Sequence, residues 1–226
     1  MPGSGGWGQV LVVLPELLAA LGETGLMLLI TVPIAVAVAI PAGVLLWATR
    51  PGGLRPAPRL HQAVNGVVNV VRSFPFLVLL IAMIPITRLI VGTSVGTVAV
   101  TVPLAVNAIA YLSRFVEQNL LQVDPGVIEA ARAMGASHRQ TVWSVLLVEA
   151  RPGLAGSVTI MVVSFISYSA IAGLVGGGGI GDFAIRFGYY RYETAVMITA
   201  VVVMIALVQG IQLLGTLAVR RLDKRL

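Results

Sequence analysis

The chain is 226 residues long, 58% hydrophobic and only 11% charged, with a net charge of +6 and no cysteine. Soluble domains carry about 25% charged residues, so this composition excludes an ordinary soluble enzyme and describes a polytopic membrane protein with little room for a soluble domain. Disulfide and thiolate chemistry are excluded outright, and the small basic excess fits membrane topology rather than a nucleic-acid surface.

The start, MPGSGGWGQV, lacks the basic region of a cleavable signal, so the first span is expected to serve as the insertion signal. Residues 9–21 are apolar but fall short of the roughly 20 residues needed to cross a bilayer. They predict an interfacial or partly buried helix ahead of the first span. That first span is expected over about 25–48, with Pro33 and Pro41 tolerated as membrane helices tolerate proline.

A loop over 49–59 carries Arg50, Arg55 and Arg59 among three prolines. Beyond it Asn65, Asn69 and Arg72 fall at i, i+4 and i+7, on one helical face. Polar groups near membrane depth face protein or water, so the stripe is read either as contact with a pathway or coupling loop, or as hydrogen bonding that holds helices together. The second span is expected over about 74–91, through Pro75 and Pro85, and a tight turn at Gly92–Gly96 leads into a third over about 94–113. Arg114, Glu117 and Gln118 then carry the chain into water.

The stretch from Asp124 to Leu147 is too polar to be buried in lipid. Asp124 is a good N-cap and Pro125 suits the first helical position. Glu129 is read as lying early enough in the helix to favour its positive end. Gly135 reads as a helix stop, and Ser137 with Gln140 has the spacing of a capping box. A short helix over about 125–134 is therefore expected, then a glycine turn, then a new helix near His138. Ala130, Ala131 and Ala133 would let another protein approach the first helix closely.

A fourth span is expected over about 154–175. Ser157, Ser164, Tyr168 and Ile171 stack on one of its faces, with Ser167 nearby. A small hydroxyl-bearing face suits helix packing or a water-accessible pathway. Gly176–Gly179 with Ile180 and Gly181 is read as a flexible turn. Its match to G-x-G-x-x-G lacks the flanking strand that a dinucleotide site needs. An aromatic connector over 182–193, with Tyr189, Tyr190 and Tyr192, fits an interfacial belt, and a fifth span is expected over about 194–219, followed by the basic tail RRLDKRL.

Arginine and lysine fall unevenly. Arg50, Arg55, Arg59, Arg114, Arg132, Arg139, Arg151, Arg220, Arg221, Lys224 and Arg225 lie on one set of connections, and Arg88, Arg186 and Arg191 on the other. The rich side is expected to be cytoplasmic, which puts the N-terminus outside and the C-terminus inside. There is no G-x-x-x-x-G-K-[ST] run, so ATP hydrolysis by the chain itself is not expected. His61 and His138 form no ligand pattern, so no catalytic residue, metal or cofactor is assigned.

Glu129-Ala130-Ala131, three residues and then Gly135 resembles the EAA loop of ABC-importer permeases. Val145 and Leu147 continue that pattern, while Val148 stands where the family has proline. The resemblance reaches nearly the whole chain through Val71-Arg72-Ser73-Phe74-Pro75-Phe76, Ile84-Pro85-Ile86-Thr87-Arg88, Val91-Gly92-Thr93-Ser94, Tyr168-Ser169-Ala170, Gly188-Tyr189-Tyr190 and the GGGGIG turn. In these the chain is similar to the methionine-importer permeases. The resemblance implies an all-α permease of the type I importer fold, one transmembrane domain over 1–226 with five spans, in a bacterial inner membrane. It implies a homodimer, two ATPase subunits, an external substrate-binding lipoprotein and a small-molecule substrate moved between the two copies by alternating access. Glu129, Ala130, Ala131, Ala133, Met134 and Gly135 would couple to the ATPase; Ser157, Ser164, Ser167, Tyr168 and Ile171 would line the pathway. A same-fold permease for another solute, or a membrane scaffold or lipid-modifying enzyme, stands as the alternative.

Overall fold

A computed structural model describes residues 6–223; Met1–Gly5 and the tail residues Lys224, Arg225 and Leu226 lie outside the described residues. The described residues form helices and no strands. In chain order these are α1 (Gly6–Val12), α2 (Leu14–Thr49), α3 (Pro58–Ser73), α4 (Phe76–Ala82), α5 (Ile84–Val91), α6 (Thr97–Leu121), α7 (Pro125–Ala133), α8 (His138–Gln140), α9 (Leu147–Glu149), α10 (Arg151–Gly173), α11 (Gly179–Phe183) and α12 (Thr194–Leu222). Two wide, π-type turns occupy Thr141–Leu146 and Ala184–Tyr189.

Helices α2, α6, α10 and α12 are each long and apolar enough to cross a membrane, and α3 with α4 makes a fifth span if that bent pair counts as one. The bend between them is 106°. Its cause is local: Pro75 has no amide to continue the ladder and forces Phe74 into extended backbone, at ψ 132°. A second break at Met83 precedes Pro85, which stands in the first turn of α5. The second span is thus built from short pieces rather than the single helix expected over 74–91.

The expected separation of a 9–21 helix from the first span does not occur. Instead α2 runs unbroken for 36 residues through Glu23, about 54 Å at 1.5 Å per residue. The reason is that Glu23 and Thr24 find polar partners inside the protein. The Glu23 carboxylate accepts the Gly179 amide at 2.6 Å, and the Thr24 hydroxyl accepts the Ile180 amide at 2.9 Å.

The single domain expected over 1–226 divides into two compact units that share long helices rather than separate stretches of sequence. Unit 1 takes the chain through Pro33, then Pro75–Val106 and Val162–Gln212; unit 2 takes Ile34–Phe74, Asn107–Met161 and the chain from Leu213 onward. Unit 1 has two apolar clusters, one around Leu17, Ile180, Phe183, Phe187 and Val196, the other around Met27, Phe76, Leu80, Leu104 and Ala172. Unit 2 buries Leu46, Leu112, Val116, Leu120 and Leu146. Its helices meet at small residues, as membrane helices do where backbones must approach. A Cβ on Gly43 would strike Val116 and the Ser113 carbonyl, and one on Gly215 would strike Thr159.

Two residues of the Asn65, Asn69 and Arg72 stripe meet α6. Arg114 donates to Asn69 at 3.4 Å, and the Arg72 guanidinium lies 5.1 Å from the centre of the Tyr111 ring. Arg114 also pairs with Glu117, which is buried. Asn69 and Arg72 thus support the packing reading, whereas the Asn65 amide oxygen and the Arg72 Nε are buried without a hydrogen-bond partner.

Candidate functional site

Unit 2 holds the short helix α7 between two firm punctuation marks. At its start Asp124 accepts the Gly126 amide at 2.8 Å, with Pro125 in the first turn. At its end Gly135 adopts φ +85°, donates to the Arg132 carbonyl, and lets Ala136 donate to Ala131. This is the paired Schellman closure, which a left-handed residue after the C-cap makes possible. The reciprocal box comes next in the chain: Gln140 donates its amide to the Ser137 hydroxyl at 3.3 Å, and Ser137 returns its amide to the Gln140 side chain at 2.9 Å. The expected helix, stop and restart are all present, with Met134 as C-cap rather than last helical residue.

The faces of α7 differ. Pro125, Ile128, Glu129 and Arg132 line a hollow of about 180 Å³ with Trp47, Arg50 and residues 52–54. The Arg50 guanidinium sits 5.3 Å from the centre of the Trp47 ring. Ala131 is 4% exposed and faces the interior. Val127, Ala130 and Met134, at i, i+3 and i+7, form an open apolar stripe, and Met134 is 82% exposed.

Two expectations are corrected here. Ala131 offers no surface to a partner, because it packs α7 onto its own unit. Glu129 is the fifth helical residue and stands outside the first turn, beyond the reach of the helix dipole. The first-turn role belongs to Asp124. Among the expected coupling residues, Ala130, Ala133 and Met134 are exposed beside Gly135, and Glu129 faces the arginine-lined hollow.

The hydroxyl face expected on α10 does not stay together. Ser157, in unit 2, is buried and accepts from Asn119 at 2.8 Å, beside Gly153, which has no side chain and so leaves room for the Asn119 amide. In unit 1 Tyr168 stacks on Phe76 with ring centres 4.9 Å apart, and both Tyr168 and Ile171 pack against the Met27 cluster. Ser164 is half-buried. Ser167 alone of the five is exposed, on a groove with Ile166, Ala170, Met204, Ile205, Val208 and Gln209. Ser157, Tyr168 and Ile171 are therefore packing residues in this structure.

Sequence reasoning passed over Glu23 and misread the glycines it contacts. The turn at Gly176–Gly181 is not loose. Gly176, Gly178 and Gly179 have positive φ, and a Cβ on Gly177 would meet Val100 and Ala172 while one on Gly181 would meet the Ala170 backbone. The signal available in the sequence was a carboxylate inside an apolar run, which must find a donor.

The family described as the inner membrane component of binding-protein-dependent transport systems matches residues 39–226. The chain belongs to that family. This inner membrane component is 49% identical over 209 residues to a Vibrio cholerae protein described as a "Probable D-methionine transport system permease protein MetI", covering 92% of this chain and 93% of that one. A D-methionine transport system permease of Escherichia coli K12 is 48% identical over 136 residues, covering 60% and 63% of the two chains. Among solved structures, an inward-facing MetNI methionine ABC transporter chain superposes with a TM-score of 0.91 at 42% identity, covering 94% of this component and 98% of that chain. An amino acid ABC transporter crystallised with histidines has a TM-score of 0.78 at 20% identity, which is a likeness of fold. The component is thus an all-α permease of the type I ABC-importer fold, and its place is the inner membrane.

Proposed function

We propose that this permease carries methionine, as the D- or L-form, into the cell as a pair of copies working with two ATPase subunits and an external binding lipoprotein. The observation that carries the reading is the 49% identity, across 92% of the chain, to a relative described as a D-methionine permease. ATP hydrolysis falls to the separate subunits, since the chain has no phosphate-binding loop of its own. The docking element is α7, offered through Val127, Ala130, Ala133 and Met134, with Gly135 setting its angle. Pathway contact in unit 1 is assigned to Ser164 and Ser167. The N-terminus lies outside and the C-terminus inside, so residues 50–59 and 114–151 face the cytoplasm.

The test is ATP-driven uptake by the reconstituted complex in vesicles, against a panel of amino acids. Methionine uptake dependent on the binding protein is the expected result. Uptake of histidine or a metal ion, and never of methionine, overturns the substrate while leaving the permease fold intact. Orientation is tested with a cysteine at position 137, in a chain that has none to remove. Labelling from outside intact cells overturns it.

A further inference from the structure

Glu23 and Thr24 are neighbours on α2, and both aim oxygens at one stretch of unit 1. They accept the Gly179 and Ile180 amides, the first two of α11. Such amides have no partner inside a helix and are met ordinarily by the side chain of the N-cap residue. Here the N-cap is Gly178, which has none, and the cap comes from 156 positions away. A Cβ on Gly178 would press on the Glu23 carboxylate, and one on Gly179 on the Thr24 hydroxyl. The glycine turn is therefore moulded around these two side chains. The Thr24 hydroxyl spends its own proton on the Ala20 carbonyl at 3.1 Å, which fixes its lone pairs toward Ile180.

One turn further along α2, Met27 is buried in the cluster of Phe76, Leu80, Leu104 and Ala172, against which Tyr168 and Ile171 pack. A single face of α2, through residues 23, 24 and 27, thus holds both the last turns of α10 and the glycine turn beyond them. A carboxylate bonded to a backbone amide is stronger than a neutral pair, yet it is one bond and can be released as a unit.

We propose that Glu23 is a positioning residue for transport: its carboxylate latches the Gly176–Gly181 turn to α2 and holds the Tyr168 end of α10 in place until unit 1 opens to solute. The inference rests on the importer reading above. What the latch requires first is reach, since an acceptor must arrive at the Gly179 amide; charge adds strength to a bond that reach makes possible. Glu23→Gln keeps a carbonyl acceptor at the same length. Glu23→Asp keeps the charge but is one methylene short.

The experiment measures methionine taken up per ATP hydrolysed by the reconstituted complex, for wild type, Glu23→Gln, Glu23→Asp and Glu23→Ala. Glu23→Gln, which keeps a neutral bond in place of a charged one, is expected to stay within about threefold of wild type. Glu23→Asp and Glu23→Ala are expected to hydrolyse ATP while the ratio falls by about tenfold or more, the size of one lost charge-assisted hydrogen bond. An unchanged ratio in Glu23→Asp overturns the latch, as does a parallel fall of uptake and hydrolysis, which marks a merely structural cap. If Glu23→Ala does not assemble, the Asp and Gln variants decide. Should the wild type take up no methionine, the substrate reading fails, and the latch is judged by hydrogen exchange at the Gly179 amide. Protection in wild type and Glu23→Gln, with exchange about tenfold faster in Glu23→Asp, supports it; equal protection in all three overturns it.

Discussion

Gly135 and the run Gly176–Gly181 serve opposite ends. At Gly135 the backbone needs φ +85°, and a Cβ there would meet nothing within 4 Å. The glycine is present for conformation alone, on an exposed turn. At 176–181 positive φ and crowding coincide: a Cβ on Gly176 would sit 3.0 Å from Val95, one on Gly177 2.7 Å from Val100, and one on Gly179 2.9 Å from Thr24. The first turn aims a surface element, whereas the second closes a packed core. Glycine in sequence says only that a side chain is unwelcome; the surroundings say whether the backbone or the neighbours object.

That contrast can be broken by substitution, and the largest effect is expected where the neighbours object. Gly181→Val would drive its side chain into the Ala170 backbone, which cannot yield as a side chain can. Overpacking typically costs about 1–3 kcal/mol, and more where the main chain must move. Loss of folded, detergent-soluble protein is expected, read by size-exclusion profile and melting temperature. A normal profile would contradict the packed turn.

Gly135→Val should cost about 1–2 kcal/mol of left-handed strain and leave the bundle inserted. Its expected effect is functional: ATPase pull-down and ATP-driven uptake fall sharply while the melting temperature drops by only a few degrees. Gly135→Asn, which tolerates that conformation, should restore both. Normal association and uptake in Gly135→Val would reduce the stretch to a solvated loop.

Asp124→Ala sharpens the comparison at the other end of α7. It removes the cap on the Gly126 amide, worth about 0.5–2 kcal/mol. Faster hydrogen exchange confined to residues 125–133 is the expected signature, with weaker ATPase association. The smallest effect belongs to Glu129→Gln, a surface change outside the first turn, expected within about 0.5 kcal/mol of wild type in stability. A larger stability loss there would return Glu129 to the dipole role that its position denies it.

The caps of α7, the Gly135 stop and the Ser137–Gln140 box were legible because each is closed by residues within a few positions of one another. The long apolar helices were legible for the same reason, since composition over one window decides them. The continuity of α2 through Glu23 was not. It depends on an amide 156 positions away, and no local rule distinguishes a satisfied carboxylate from a helix break. The hydroxyl face of α10 misled in a related way: helical spacing put Ser157, Tyr168 and Ile171 on one side, but Asn119 and Phe76 were waiting there as partners. Ala131 and Ala130 are adjacent and chemically identical, so only the packing of α7 separates the buried one from the exposed one.

The wide turn at Thr141–Leu146 sets the phase between α7 and α10. Its winding accommodates one residue more than an ordinary helical turn would, and the Thr141 hydroxyl bonds back to the Ser137 carbonyl at 3.0 Å. Each residue turns a helix by about 100°. Deleting a single residue there would let the turn tighten to an ordinary helical one and leave the helix beyond it in nearly the same phase, with Ser157 and Gly153 still facing Asn119. The same deletion at Leu154, in regular helix with no slack to give up, would turn Ser157 about 100° away from Asn119, like a gear slipping one tooth.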